Sequence, residues 1–121
     1  KNKNMANLTP TLTLSYPTGT SDPISFSVTD TLAIDKAVIA PSLAATSTGD
    51  LTLLAAATYT KSYVYLRNTD GSIAINVDFG SQLAMTLAAG EWAFFPWDSS
   101  ANIVVAAASG TPYIEYALFE D

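Results

Sequence analysis

The side chains left for acid–base work in this chain are carboxylates, because its 121 residues include no histidine and no cysteine. General acid–base catalysis most often uses His, and thiol catalysis and most zinc sites need Cys or His. Serines and threonines are plentiful, but without an imidazole to take their protons they lack the partner of a nucleophilic triad. Glu91, Asp98 and Glu115 lie in the aromatic C-terminal half, and two carboxylates roughly 5–10 Å apart can flank a glycosidic bond. Nothing in their spacing brings them together, so they read as solvated strand-end and turn charges. Asp70, Asp78 and Asp98 could offer oxygens to calcium, yet no Asp-x-Asn-x-Asp-Gly loop is present. Asn68-Thr69-Asp70-Gly71 shares only its Asp-Gly, which turns use for conformational reasons. The expectation is no catalytic residue, no metal and no cofactor.

Aromatic side chains are the remaining candidates. Tyr63 and Tyr65 alternate along one face of a segment, and Trp92 and Trp97 sit around Phe94-Phe95-Pro96. Exposed rings stack on sugars or anchor protein interfaces, where Tyr and Trp are enriched. A strand buried on one face needs large side chains, so Trp92 and Phe94 are assigned to the core. Tyr63, Tyr65, Phe95 and Trp97 are the candidate partner contacts. If they face outward, a partner protein should cover them.

Composition narrows the partner. Charged residues make up 13% of the chain, five basic against eleven acidic, for a net charge of −6. Such a surface should repel nucleic acid, which needs Lys and Arg to displace counterions, and it disfavours anionic membranes. No run approaches the 18 apolar residues of a membrane span. The absence of Cys excludes a disulfide framework and fits assembly in a reducing cytoplasm.

The elements that must position these side chains have period two. Leu12, Leu14 and Tyr16 alternate with Thr11, Thr13 and Ser15, and Ile24, Phe26 and Val28 alternate with Ser25, Ser27 and Thr29. That is the pattern of strands with one buried and one solvated face. Between them, residues 17–23 are dense in turn formers. Leu32, Ile34 and Val38 suggest a third strand ended by Pro41, with a loop from Ser42 to Gly49. Leu51 and Leu53 begin another that runs into Ala55-Ala56-Ala57, which could form a helical turn but is read as strand beside Thr52, Thr58 and Tyr59. Val64 and Leu66 face opposite Tyr65 and Arg67, then Ile73, Ile75, Val77 and Phe79 share a face. With Asn68–Gly71 between them, and a positive φ expected at Gly71, these two segments predict a hairpin. Further strands follow around Leu83–Leu87, Trp92–Trp97, Asn102–Ala107 and Tyr113–Phe119. About eight to ten short strands without a long helix predict an all-β, antiparallel β-sandwich, jelly-roll-like. Residues 1–7 are expected as a flexible N-terminal arm, which could add a strand to a neighbouring subunit's edge. Their basic end has no apolar run after it, so no secretory signal is expected. Residues 8–121 are expected as one sandwich domain.

Three segments carry a resemblance. Tyr63-Val64-Tyr65-Leu66-Arg67-Asn68-Thr69-Asp70, Leu87-Ala88-Ala89-Gly90-Glu91-Trp92-Ala93-Phe94-Phe95-Pro96 and Ile114-Glu115-Tyr116-Ala117-Leu118-Phe119-Glu120 are similar in pattern to small β-sandwich virion proteins of tailed bacteriophages. The similarity covers about residues 61–120. It implies a non-enzymatic structural protein of the capsid, neck or tail, assembled in the host cytoplasm into the virion. Capsid decoration or cement proteins of this size bridge capsomers by sheet edges and aromatic patches. The implied partner is the major capsid protein or another virion protein, with a homo-oligomer, such as a trimer, also expected. The alternative is a glycan-binding or tail-fibre module that uses Tyr63, Tyr65 and Trp97 as stacking platforms.

Overall fold

A computed structural model describes residues 6–16 and 24–121 and divides the chain into two compact units, Lys1–Asp35 and Lys36–Asp121. The strands from Lys36 onward and those of the Lys1–Asp35 unit are therefore described separately. The described part of the first unit holds four strands: β1 (Ala6–Leu8), β2 (Thr11–Tyr16), β3 (Ile24–Thr29) and β4 (Leu32–Ile34). β1 pairs antiparallel with β4, and β2 with β3. Ala6 and Asn7, expected in a flexible arm, are strand residues of β1. The expected turn at 17–23 and the start at 1–5 lie outside the described residues.

The second unit holds β5 (Val38–Ala45), β6 (Leu51–Leu54), β7 (Ser62–Asn68), β8 (Ile75–Phe79), β9 (Gln82–Leu87), β10 (Trp92–Trp97), β11 (Ile103–Ala107) and β12 (Tyr113–Glu120). They form two four-stranded antiparallel sheets, in the orders β10-β7-β12-β5 and β6-β11-β8-β9. The chain changes sheet at nearly every connection, which gives the strand order of a double Greek key. The protein is all-β, and this unit is an antiparallel jelly-roll sandwich. No helix among the described residues is long and apolar enough to cross a membrane.

The core lies between the two sheets because period-two apolar residues from both point inward. Val64 and Leu66 of β7, and Ile114 and Leu118 of β12, meet Ile75 and Val77 of β8 and Ile103 and Val105 of β11. Phe95 reaches Phe79 across the layers, with ring centroids 5.6 Å apart.

Several local expectations are corrected by this topology. β7 and β8 are not a hairpin, since they belong to different sheets and Asn68–Ala74 carries the chain across the sandwich. Gly71 does not need the left-handed region, which is used instead at Gly80, Gly90 and Gly110. Gly80, at φ 64°, makes the tight β8–β9 turn. Ala55–Ala57 is turn rather than strand, and Ala57 itself has φ 62°. Pro41 does not end a strand. It lies within β5, where the pairing shifts register opposite Ala117, a bulge on an edge strand that needs no N–H donor there. A second bulge, between β8 and β9, turns Leu83 out of the core phase kept by Met85 and Leu87, so it is exposed.

The crossing from β7 is held by Asn68, which is 0% exposed. Its Nδ2 donates to Ile73 O at 2.7 Å and to Leu87 O at 2.9 Å, while its Oδ1 accepts from Asp70 N at 3.0 Å. Its backbone N–H donates to Glu91 O, and its carbonyl accepts from Gly90 N. Asp70 continues the turn, accepting from Ser72 N and Ile73 N at 2.9 and 2.7 Å. Those backbone N–H groups hold the Asp70 carboxyl below its ordinary value. Replacing Asn68 by Ala strands buried backbone partners, each unsatisfied group costing about 1–3 kcal/mol. Asn68→Ala should therefore lose about 2–4 kcal/mol in urea unfolding, and Asn68→Asp, which sets an acceptor against two carbonyls, should lose no less. An unchanged urea midpoint in Asn68→Ala would refute this role.

Candidate functional site

The outer faces of the two sheets differ in chemistry. On the β6-β11-β8-β9 sheet, the outward residues of β8 are Asn76 and Asp78, opposite Thr86 and Leu83 of β9. Thr86 Oγ1 and Asn76 Oδ1 hydrogen bond at 2.9 Å across the pair. That is the ordinary pattern of a sheet that faces water. The β10-β7-β12-β5 sheet instead turns rings outward.

Register builds this aromatic face in rows. Trp92 of β10 pairs with Arg67 of β7, which pairs with Glu115 of β12, which pairs with Leu43 of β5. The next outward row is Phe94, Tyr65 and Ala117, and the third is Pro96, Tyr63, Phe119 and Val38. Tyr113 continues the β12 face beyond Glu115. Trp92 is 57% exposed, and Phe94, Leu43, Val38 and Tyr113 are exposed with it. The rings are set rather than loose. Tyr63 and Phe94 stack with centroids 6.3 Å apart and planes 13° apart. Lys61 Nζ sits 5.3 Å above the Tyr63 ring, a cation–π contact. Tyr65 Oη donates to Glu115 Oε1 at 2.9 Å. Burial first, then that hydrogen bond and the Glu115 charge, push the Tyr65 phenol above its ordinary value, so it remains a donor at neutral pH.

The structure redistributes the candidate contacts. Tyr63 and Tyr65 lie half-buried on the outer face. Phe95 and Trp97 point inward, Trp97 at 4% exposure with its Nε1 donating to Ala101 O at 3.1 Å. Trp92 and Phe94, assigned to the core from sequence, take the outward positions. The cause is register: Phe95 pairs with inward Val64 and Phe94 with outward Tyr65. Since β10 is aromatic in both phases, its own pattern gave no contrast between faces.

The acidic residues hold structure where the folding places them. Glu91 Oε1 accepts from Ala88 N at 2.7 Å within the β9–β10 turn. Asp98 accepts from Ser100 N and Oγ at 3.0 and 2.6 Å, and the Ser100 hydroxyl first, then its N–H, hold that carboxyl below its ordinary value. Glu91 and Asp98 flank opposite ends of β10, roughly 20 Å apart along an extended strand, too far to act on one glycosidic bond. Asp70, Asp78 and Asp98 sit on three separate elements, and no group of three potential metal ligands occurs among the described residues. A cavity of about 400 Å³ lies against Phe79, Pro96, Trp97 and Lys61. The polar groups of Asp98 and Trp97 beside it are already engaged by Ser100 and Ala101, so it offers a ligand less than the open face does.

No family model, curated protein or solved structure matches the chain.

One buried carboxylate escaped the sequence reasoning. Glu120 is inward with Ile114 and Leu118, a phase the alternation Ile114, Tyr116, Leu118, Glu120 already displays. Its carboxylate accepts from Thr60 N at 2.7 Å, Thr60 Oγ1 at 2.9 Å and Ala37 N at 3.1 Å. Lys36 Nζ donates to the same Thr60 hydroxyl at 3.1 Å. The group thus ties the last strand to the start of β5 and to the loop before β7. The Thr60 N–H first, then Ala37 N–H, the Thr60 hydroxyl and the Lys36 charge, hold its pKa below the ordinary 4.5, against the opposing effect of burial. A carboxyl depressed in the folded state contributes stability above the unfolded value and loses it as pH falls through the folded one. Unfolding free energy should therefore decline below about pH 4.5. Glu120→Gln should be less stable than the parent at pH 7 and flatter between pH 4.5 and 2.5. Parallel pH profiles for the two proteins would count against the Glu120 clamp.

Proposed function

We propose that this protein is a non-enzymatic structural subunit of a virion of the tailed-phage type, a capsid decoration or cement protein. It docks the outer face of its β10-β7-β12-β5 sheet on the major capsid protein or another virion protein, after assembly in the host cytoplasm. The observation that carries the reading is the replacement of water-facing polar residues by Trp92, Phe94, Tyr63, Tyr65 and Tyr113 on one sheet and not on the other. Monomers rarely leave such a contiguous apolar patch uncovered, and Trp and Tyr dominate the energetics of protein interfaces. The three segments similar to phage virion proteins contribute β10, β7 and β12, three adjacent strands of this sheet. Arg67, Lys61 and Glu115 are the charges along it, so the face escapes most of the self-repulsion of an acidic chain.

A glycan-binding module is the second reading, favoured by the open Trp92 ring beside Arg67 and Glu115, whose polar groups could bond sugar hydroxyls. It would use Tyr63, Tyr65 and Trp92 rather than the buried Trp97.

The docking role is tested on virus heads prepared without this protein and then decorated with it. Trp92→Ser combined with Phe94→Ser should weaken binding at least about 30-fold, since interface anchors of this kind cost about 2 kcal/mol or more each when truncated. The decorated heads should also withstand higher temperature than bare ones. Undiminished binding by a double variant that keeps its far-ultraviolet circular dichroism spectrum would remove the aromatic face from the docking site. Sugar-specific retention on a glycan array, lost in the same variant, would favour the module instead.

A further inference from the structure

We propose that the cavity at the β10 edge of the sandwich is an anchor pocket for the docked partner protein. It receives one large apolar side chain of that protein, while Lys61 takes an acidic residue next to it. The proposal rests on the docking reading above and names the chemistry the partner must present.

The cavity is built from sandwich residues alone. Phe79 of β8, Pro96 and Trp97 of β10 and Ala101 form its apolar walls. Its volume of about 400 Å³ lies toward the lower end of the roughly 300–1,000 Å³ of small ligand sites, room for one large residue. The walls are fixed. Trp97 is buried, its Nε1 donates to Ala101 O at 3.1 Å, and its ring centroid lies 6.4 Å from that of Tyr59. Phe79 packs on Phe95 with centroids 5.6 Å apart. A ring swing that closed the cavity would give up these contacts, so the pocket is preformed and filling it costs little reorganisation. The N–H and hydroxyl of Ser100 are both spent on Asp98 Oδ1, and the indole N–H is spent on Ala101. Few donors remain for a polar ligand, and burying an unpaired polar group is costly. The walls select an apolar side chain.

Continuity and charge identify where that side chain comes from. Pro96 pairs with Tyr63 in the third outward row of the aromatic face, so one wall of the cavity belongs to that face as well. Lys61 also serves both, lining the cavity with its Nζ 5.3 Å from the Tyr63 ring centroid. A protein lying along β10 from Trp92 to Phe94 meets the cavity next, at Pro96. It cannot add a strand there, because Pro96 offers no N–H, so it engages by an inserted side chain. Lys61 is exposed and forms no ion pair among the described residues. It is one of three basic residues between Lys36 and Asp121, with Lys36 and Arg67. An ammonium without a counter-ion beside an apolar cavity favours a carboxylate on the partner. Asp98, also at the cavity, carries the opposite charge, and its bonds to Ser100 do not cancel it. The two charges should therefore act on an acidic partner with opposite sign.

The blocked peptide acetyl-Gly-Phe-Asp-Gly-amide tests the pocket on the isotope-labelled full chain. One buried ring and one exposed ion pair give an affinity of about a millimolar, so additions to about 10 mM suffice. In nuclear magnetic resonance spectra the Trp97 indole N–H and the Phe79 and Ala101 amides should shift and saturate. Acetyl-Gly-Ala-Asp-Gly-amide should leave them unmoved. Lys61→Gln should weaken the first peptide about two- to fivefold and Lys61→Arg should not, while Asp98→Asn should strengthen it. On virus heads, Lys61→Gln should weaken docking by a similar factor. Absence of shifts, equal binding of acetyl-Gly-Phe-Lys-Gly-amide, or shifts confined to Trp92 and Phe94 would each overturn the proposal. So would heads that bind Lys61→Gln as well as the parent. The docking reading fails by a different result, undiminished head binding of the Trp92→Ser, Phe94→Ser variant, whatever the titration shows.

Discussion

A jelly roll must carry its chain back and forth between two sheets, and every crossing exposes backbone polar groups at the edge of a dry core. The side-chain amide of Asn68 resolves this at the crossing out of β7. One buried group spends both N–H donors on carbonyls from two segments and its oxygen on a third. In a low-dielectric setting such bonds are strong when complete, and their absence is costly. Because the amide joins the end of β7 to the end of β9, it fixes the offset between the two sheets at that end. Glu120 holds the opposite end, joining β12 to the entry of β5 and to Thr60. Between these clamps, β7 and β12 lie side by side in the middle of one sheet. The aromatic rows stand on those two strands and on β10, so their positions inherit the precision of the clamps.

The two sheets share a core but answer to different surroundings. β8 and β9 turn Asn76, Asp78 and Thr86 outward with a single large apolar side chain, Leu83, among them. β7 and β10 turn Tyr63, Tyr65, Trp92 and Phe94 outward, with Tyr63 stacked on Phe94 and Tyr65 bonded to Glu115. The inward phases of both sheets are mainly Val, Leu and Ile, joined by Trp97 and Phe95 of β10, Tyr116 of β12 and Phe79 of β8. The outward rings are thus additional to those the core uses. Pre-stacked rings lose little conformational freedom when covered, which favours contact over display to solvent.

Period two was enough to find most strands and the sandwich class, because the inward phases are strongly apolar and most connections are polar, Ala55–Ala57 being the exception. The split of β7 into inward Val64 and Leu66 and outward Tyr63 and Tyr65 was legible for that reason. The facing of β10 was not. Trp92-Ala93-Phe94-Phe95-Pro96-Trp97 is apolar in both phases, so only pairing with β7 decides which rings are buried. Partner choice was equally hidden: Asn68-Thr69-Asp70-Gly71 has the residues of a hairpin turn, but the buried amide of Asn68 directs the chain to the other sheet. Leu83 is turned outward by a bulge, which local sequence does not announce. Leu12, Leu14, Phe26 and Val28 have the alternation of a buried face yet are about half exposed, and alternation alone cannot report how deeply a face is buried.

Edges decide how such a sheet can be used. The β10-β7-β12-β5 sheet ends in β10 on one side and β5 on the other, and each of these edge strands contains a proline, Pro96 and Pro41. A proline offers no N–H to an added strand, and the bulge at Pro41 further disrupts the ladder there. Strand addition at either edge is thereby discouraged while the face between them stays open. A bridge built from sheet edges is consequently the weaker version of the docking idea, and the face is the stronger. The prolines thus restrict this sheet to contact through the side chains of its face.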